Sequence, residues 1–230
     1  MGLCKLLTFI VLYLLTTFII VPVLAKPFGR VQLPVTATNN LRPLTFMTCL
    51  LNRNYVRKDL RNVAYSVASE MNKKYPGTVI NYLDANFPFV NGFPLFPHLS
   101  HNDGKKMDLA FCYKDKQSLQ ETNATPSPIG YGICEEPTAA EKNTTDFCVQ
   151  QGYWQYSLLK SLMPQGRKKD FVFYPEKTRS LVELFAHDNR IGKIFIEPHL
   201  KLRLQLTSDK IRFHGCQAVR HDDHIHVQLK

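Results

Sequence analysis

The chain has 230 residues, 44% hydrophobic and 11% aromatic, enough to bury one sizeable core and too short for several. A formal net charge of +10 favours anionic partners such as nucleic acid, a membrane surface or a cell-wall polymer. Apart from Arg167-Lys168-Lys169 the basic residues are scattered, with no nucleic-acid-binding signature among them, so nucleic acid is not expected as a partner.

Residues 1–25 open with one lysine, Lys5, followed by an apolar run from Leu6 to Val21 broken only by three threonines. Pro22-Val23-Leu24-Ala25 then precedes Lys26, as in a secretory signal cut after Ala25. The same run is long enough to remain as a membrane anchor, and in that case alone is a membrane expected as a partner. Either way the rest of the chain is expected to be exported, to a periplasm or cell envelope. Export permits disulfides, and five cysteines follow Cys4. Cys134 with Cys148, closing a short loop, is the expected pair, and the odd count leaves at least one thiol over.

Residues 26–45, with their prolines and adjacent asparagines, read as a linker before a domain spanning 46–230. Leu60, Val63, Ala64, Val67, Ala68 and Met71 recur at helical spacing, and Pro76-Gly77 ends that helix. Val79 to Leu83 reads as a short strand. The aromatic, proline-punctuated stretch from Phe87 to His98 reads as a loop, either walling a site or capping the core. A strand is expected from Asp108 to Tyr113, with Leu109, Phe111 and Tyr113 on one face and Asp108 on the other. Asn102-Asp103-Gly104 is a strong turn signal that can bring His101 back over Asp108.

Residues 114–150 carry three lysines against six acids and are rich in Thr, Asn and Pro, so they are expected to form a surface insertion. Asn123-Ala-Thr125 and Asn143-Thr-Thr145 match glycosylation acceptors, relevant only in a glycosylating host. Tyr153 to Leu162 is expected helical, Asp170 to Tyr174 extended, Lys177 to Ala186 helical, Arg190 to Glu197 a buried strand, and Pro198 to Leu204 a helix with proline in its first turn. His187 and His199 have the surroundings of structural or solvated histidines.

The last stretch, His221-Asp-Asp-His-Ile-His226-Val-Gln-Leu-Lys230, carries three histidines within six residues. As a strand it sets His224, His226 and Gln228 on one face, and Ile225, Val227 and Leu229 on the other. An apolar face held in a core would fix the imidazoles, which suits metal binding. His101 and Asp108 are the natural source of the further ligands that such a site needs. The expected fold is α+β: a small antiparallel sheet carrying a metal site on one face, with helices packed on the other.

The pattern H-x6-D, then H-x2-H-x-H near the end, resembles the murein endopeptidase (penicillin-insensitive type) branch of a zinc peptidase superfamily. That superfamily also includes lysostaphin-like enzymes, D-alanyl-D-alanine carboxypeptidases and the hedgehog fold. The resemblance is carried by Ser-His-Asn-Asp-Gly with Asp108, by the segment Arg190 to Lys201, and by Arg-His-Asp-Asp-His-Ile-His-Val-Gln-Leu. It implies one Zn2+ per chain held by His101, Asp108 and His226, with His221 as general base and His224 beside the metal stabilising the oxyanion. It also implies a peptidase acting on peptidoglycan or its peptides, or a zinc-bearing binding module without turnover. The chain departs from the family at Lys106, where a small or acidic residue is usual. Asp222 and Asp223 are open to two readings, as acceptors for imidazole N–H groups or as solvated acids.

Overall fold

The computed structural model describes residues 2–96 and 98–230. Met1, in the apolar leader, and Pro97, in the expected aromatic loop, lie outside the described residues.

The architecture is α+β around a six-stranded sheet, in the order Ile211–Arg212, Ile191–Phe195, His224–Leu229, Lys106–Ala110, Ile80–Tyr82 and Leu41–Pro43. The sheet is mixed. Its four central strands run antiparallel, as expected, but each edge strand pairs parallel to its neighbour. Two-residue and three-residue edge strands carry too little pattern to be read from sequence.

Alternation along the central strands divides the sheet into two chemically distinct faces. Met107, Leu109, Ile194, Ile225, Val227 and Leu229 join the main core. Against them pack the helix Lys58–Lys74, through Leu60, Val63, Ala64, Val67, Ala68 and Met71, and the helix Pro175–His187, through Leu181, Val182 and Phe185. Each fully buried aliphatic side chain here contributes roughly 1.5–3 kcal/mol relative to exposure, so this face fixes the register of the whole sheet. Asp108, His224, His226 and Phe195 fall on the other face.

The expected strand from Asp108 to Tyr113 breaks after Ala110, and Tyr113–Asp115 enters a separate three-stranded sheet with Glu121–Thr122 and Phe171–Phe173. Tyr153 to Leu162 is a 3-10 turn, Trp154–Ser157, followed by a short α-helix, Leu158–Leu162.

Three further expectations need correction. Residues 26–45 are not a linker: Leu33 and Leu41 lie in the main core and Leu41–Pro43 is an edge strand of the sheet, so the domain begins well before residue 46. The disulfide joins Cys148 to Cys216, not to Cys134, which is buried as a free thiol. The helix Thr144–Gln150 presents Cys148 to the loop before the terminal strand, so the nearest cysteine in space is distant in sequence. Residues 114–150 are also only partly a surface insertion. Thr125, Ser127, Tyr131, Ile133, Cys134 and Glu135 are buried, and this portion folds back over the polar face of the sheet. Within the acceptor motifs, Asn123 binds the backbone of Val79 and Gly77, and Asn143 caps the helix that follows it.

Candidate metal centre

The terminal strand lies between Lys106–Ala110 and Ile191–Phe195, and its register sets His226 opposite both Asp108 and Phe195. His226 Nδ1 is 2.8 Å from Asp108 Oδ1. His101 arrives from the loop preceding the Lys106–Ala110 strand, with its Nε2 3.1 Å from His226 Nδ1 and 3.3 Å from Asp108 Oδ1.

That loop is closed by the turn at Gly104. Its φ of +78° disfavours any residue with a Cβ, and an added Cβ would lie 2.5 Å from the buried Arg30 guanidinium. Gly104 N donates to Asn86 Oδ1, and its carbonyl accepts from Arg57 N, so the turn is held on both sides. His101 Nδ1 donates to the carbonyl of Ala85 at 2.9 Å, which turns Nε2 toward Asp108 and His226. Burial works against a charge on this ring, yet Asp108 beside it raises its pKa, so Nε2 carries a proton that a metal would have to displace.

His101, Asp108 and His226 therefore form a His-His-Asp group able to hold a metal ion, with one ligand atom from each inside a 4.8 Å set. All three are at most 3% exposed. A buried carboxylate without a cationic partner is costly, and the imidazoles around Asp108 answer that cost. Burial alone would raise Asp108, but the adjoining His101 and His224 hold it well below the usual carboxylate range. Burial lowers His226 to about 4, offset only in part by Asp108. His226 is thus the neutral imidazole that metal ligation requires.

The other two histidines of the terminal stretch flank this group. His224 Nδ1 donates to the carboxylate of Asp223, and its Nε2 lies 3.8 Å from Asp108 Oδ2 without a hydrogen-bond partner. Burial works against a charge there, yet Asp108 and Asp223 together raise His224 to about 9. His221 is buried with its ring centroid 4.8 Å from that of His224 and 5.8 Å from that of His226. Burial first, then these two neighbours, drive it well below the usual imidazole value. Asp223 is an imidazole acceptor and also receives Gly132 N, whereas Asp222 pairs with Arg220. His199 is a structural histidine, donating to the carbonyl of Glu135, and His187 is exposed. Lys106 forms an ion pair with Asp103 at 2.7 Å.

Four neighbours of the group were not singled out from sequence. Tyr131 donates its hydroxyl to Asp108 Oδ2 at 2.8 Å, from within the segment expected on the surface. His98 donates Nδ1 to Asp84, its ring 4.6 Å from that of Tyr131, and Arg53 completes the Asp84 pairing. Glu197 accepts from His221 N and donates its own N–H to the His221 carbonyl, gripping that residue's backbone. His214, exposed, stacks on Phe195 at 4.1 Å with its ring 5.4 Å from His221. Only His98 had a sequence signal, its three-residue spacing from His101.

No protein-family model matches the chain, and no curated protein matches it either.

Proposed function

We propose that this chain is a zinc-dependent peptidase that hydrolyses peptide bonds in peptidoglycan cross-links or stem peptides, with His101, Asp108 and His226 holding one Zn2+. The observation that carries the reading is the buried convergence of two imidazoles and one carboxylate from two distant segments. Two nitrogens and one oxygen suit zinc, and three protein ligands characterise catalytic sites, which keep a fourth position for water. Zinc bonds at tetrahedral angles set donor atoms roughly 3.4 Å apart, slightly wider than the 2.8, 3.1 and 3.3 Å among these three. The resemblance of Ser100 to Asp108 and of Arg220 to Leu229 to murein endopeptidases supports the same choice of metal and substrate.

Bound zinc would lower the pKa of its water to about 7 and polarise the scissile carbonyl. His221, held neutral, would accept a proton and pass it to the leaving amine. Glu197 grips the His221 backbone and so holds the stretch of chain that carries that imidazole. His224, its Nδ1 engaged by Asp223, would offer Nε2–H to the developing oxyanion. A net charge of +10 would favour an anionic wall polymer, and the apolar helix Gly2–Leu24 with the Cys148–Cys216 disulfide fits an exported protein.

The test is metal content of the purified chain, with and without His101→Ala, followed by incubation with purified muropeptides. One zinc per chain, lost in the variant, and muropeptide cleavage abolished by His221→Ala are the expected results. Zinc binding without cleavage of any muropeptide would favour the binding-module alternative. Absence of zinc would overturn the reading.

A further inference from the structure

The segment between Arg42 and Arg53 contains no charged residue, and within it lies the short helix Phe46–Leu50. Phe46, Met47 and Leu51 stand about half exposed there, on a surface that a soluble domain would cover with polar side chains. This patch is continuous with the N-terminal apolar helix Gly2–Leu24. Phe18 stacks on Phe46 with ring centroids 5.6 Å apart, and Tyr13 donates its hydroxyl to the carbonyl of Leu50 at 2.6 Å. Lower down, Val21 and Ala25 are buried against Tyr55. The helix is therefore fastened to the domain along its second half.

Its length then matters. The part beyond the docking contacts, Gly2 to Leu12, rises roughly 16 Å at 1.5 Å per residue. A hydrocarbon layer of about 30 Å needs around 20 residues. A spanning helix must therefore sink to about Val21, which carries the docked turn below the lipid surface with it. Lys26, exposed just past the helix end, is placed to reach the headgroups.

We propose that Phe46, Met47 and Leu51 form a membrane-contact surface that enters the lipid beside the N-terminal helix. Its consequence is positional. Met47 and Leu51 also line a cleft of about 270 Å³ that shares His98 and Tyr131 with the surroundings of the metal centre, so the cleft opens at the bilayer face. The inference rests on Gly2–Leu24 being retained as an anchor. When the segment is retained, Val21 and Ala25 are buried against Tyr55, so the helix and the patch move into the lipid as one unit.

The test is tryptophan fluorescence of the full chain in phosphatidylethanolamine–phosphatidylglycerol vesicles whose acyl chains carry bromine as a quencher. The single native Trp154 is first replaced by phenylalanine, and one tryptophan is then placed by Phe46→Trp, Met47→Trp, Phe9→Trp or Leu202→Trp. Phe9 reports the anchor, and Leu202, exposed on the helix Pro198–Arg203, reports a surface away from the patch. Quenching and a blue shift at Phe9→Trp, Phe46→Trp and Met47→Trp, with none at Leu202→Trp, is the expected result. Quenching at Phe9→Trp without any at either patch position would overturn the membrane-contact surface while leaving the anchor intact. No quenching at Phe9→Trp would overturn the anchor, and the contact surface with it.

Discussion

His226 and Asp108 face each other across one rung of the antiparallel ladder, 118 residues apart in sequence and 2.8 Å apart at their nearest atoms. The rung is fixed from the opposite face of the sheet, where Ile225, Val227, Met107 and Leu109 are locked in the core. A slip of one residue would exchange the polar and apolar sets, at a cost no metal site could offset.

Tyr131 tests whether the support of Asp108 matters to metal binding. Its hydroxyl is the hydrogen-bond donor to the oxygen of Asp108 that faces away from His226. Partners of this kind typically change metal affinity by about 10–100-fold. Tyr131→Phe is expected to weaken zinc binding by that factor in a chelator competition titration, and to cost the metal-free chain about 1–3 kcal/mol because buried Asp108 loses a donor. Unaltered affinity would show that Tyr131 only fills space.

The centre was readable from sequence where periodicity and turn chemistry act locally, and hidden where packing decides. Alternation along His224–Leu229 and around Asp108 assigned both faces correctly, and Asn102-Asp103-Gly104 located the turn that returns His101. Tyr131 was not readable, because Thr, Asn and Pro around it signal solvent exposure, and no local pattern reveals that a loop folds back over a sheet. Cys148 was mispaired for the same reason: sequence separation is a poor guide to which helix faces which loop.

Gly104 is expected to tolerate no side chain. An alanine at its φ of +78° costs about 1–2 kcal/mol in backbone strain. The added Cβ must also displace the Arg30 guanidinium, which is fully buried. Gly104→Ala should lower the urea midpoint by an amount worth more than the strain alone, and weaken zinc binding because His101 rides on the same loop. An unchanged midpoint would mean that the turn relaxes freely.

The Cys148–Cys216 bridge closes a loop with a sequence separation of 68. Chain-entropy arithmetic for a loop of that size gives about 4 kcal/mol of stabilisation. Cys216→Ser should lose most of this in denaturant melts, and peptide mapping of the native chain under non-reducing conditions should find Cys148 linked to Cys216. Cys134 should react with an alkylating reagent only after unfolding, since it is buried beside Asp222 and Asp223 and its thiol is pushed far up by burial. A Cys134-containing crosslinked peptide would contradict the pairing.

Glu197 gives the fold a pH signature of definite sign. Burial, and secondarily the Asp222 carboxylate, push it up to about 7, from about 4.3 in an unfolded chain. The folded state therefore prefers the protonated acid. Its contribution to stability is whole below about pH 4.3, falls as pH rises, and is lost above about 7, a change on the order of 3 kcal/mol. Glu197→Gln keeps an oxygen for Tyr156 and His221 N but cannot ionise. Its amide nitrogen replaces an oxygen that has no partner, which adds a constant penalty of about 1–3 kcal/mol. The difference between variant and wild type isolates Glu197 from the other titrating groups. Urea midpoints across that range should show the variant gaining on wild type as pH rises from about 4.5 to 7.5, whatever the constant offset. Parallel curves would mean that Glu197 ionises at its ordinary value, and that its grip on His221 is that of a charged carboxylate throughout.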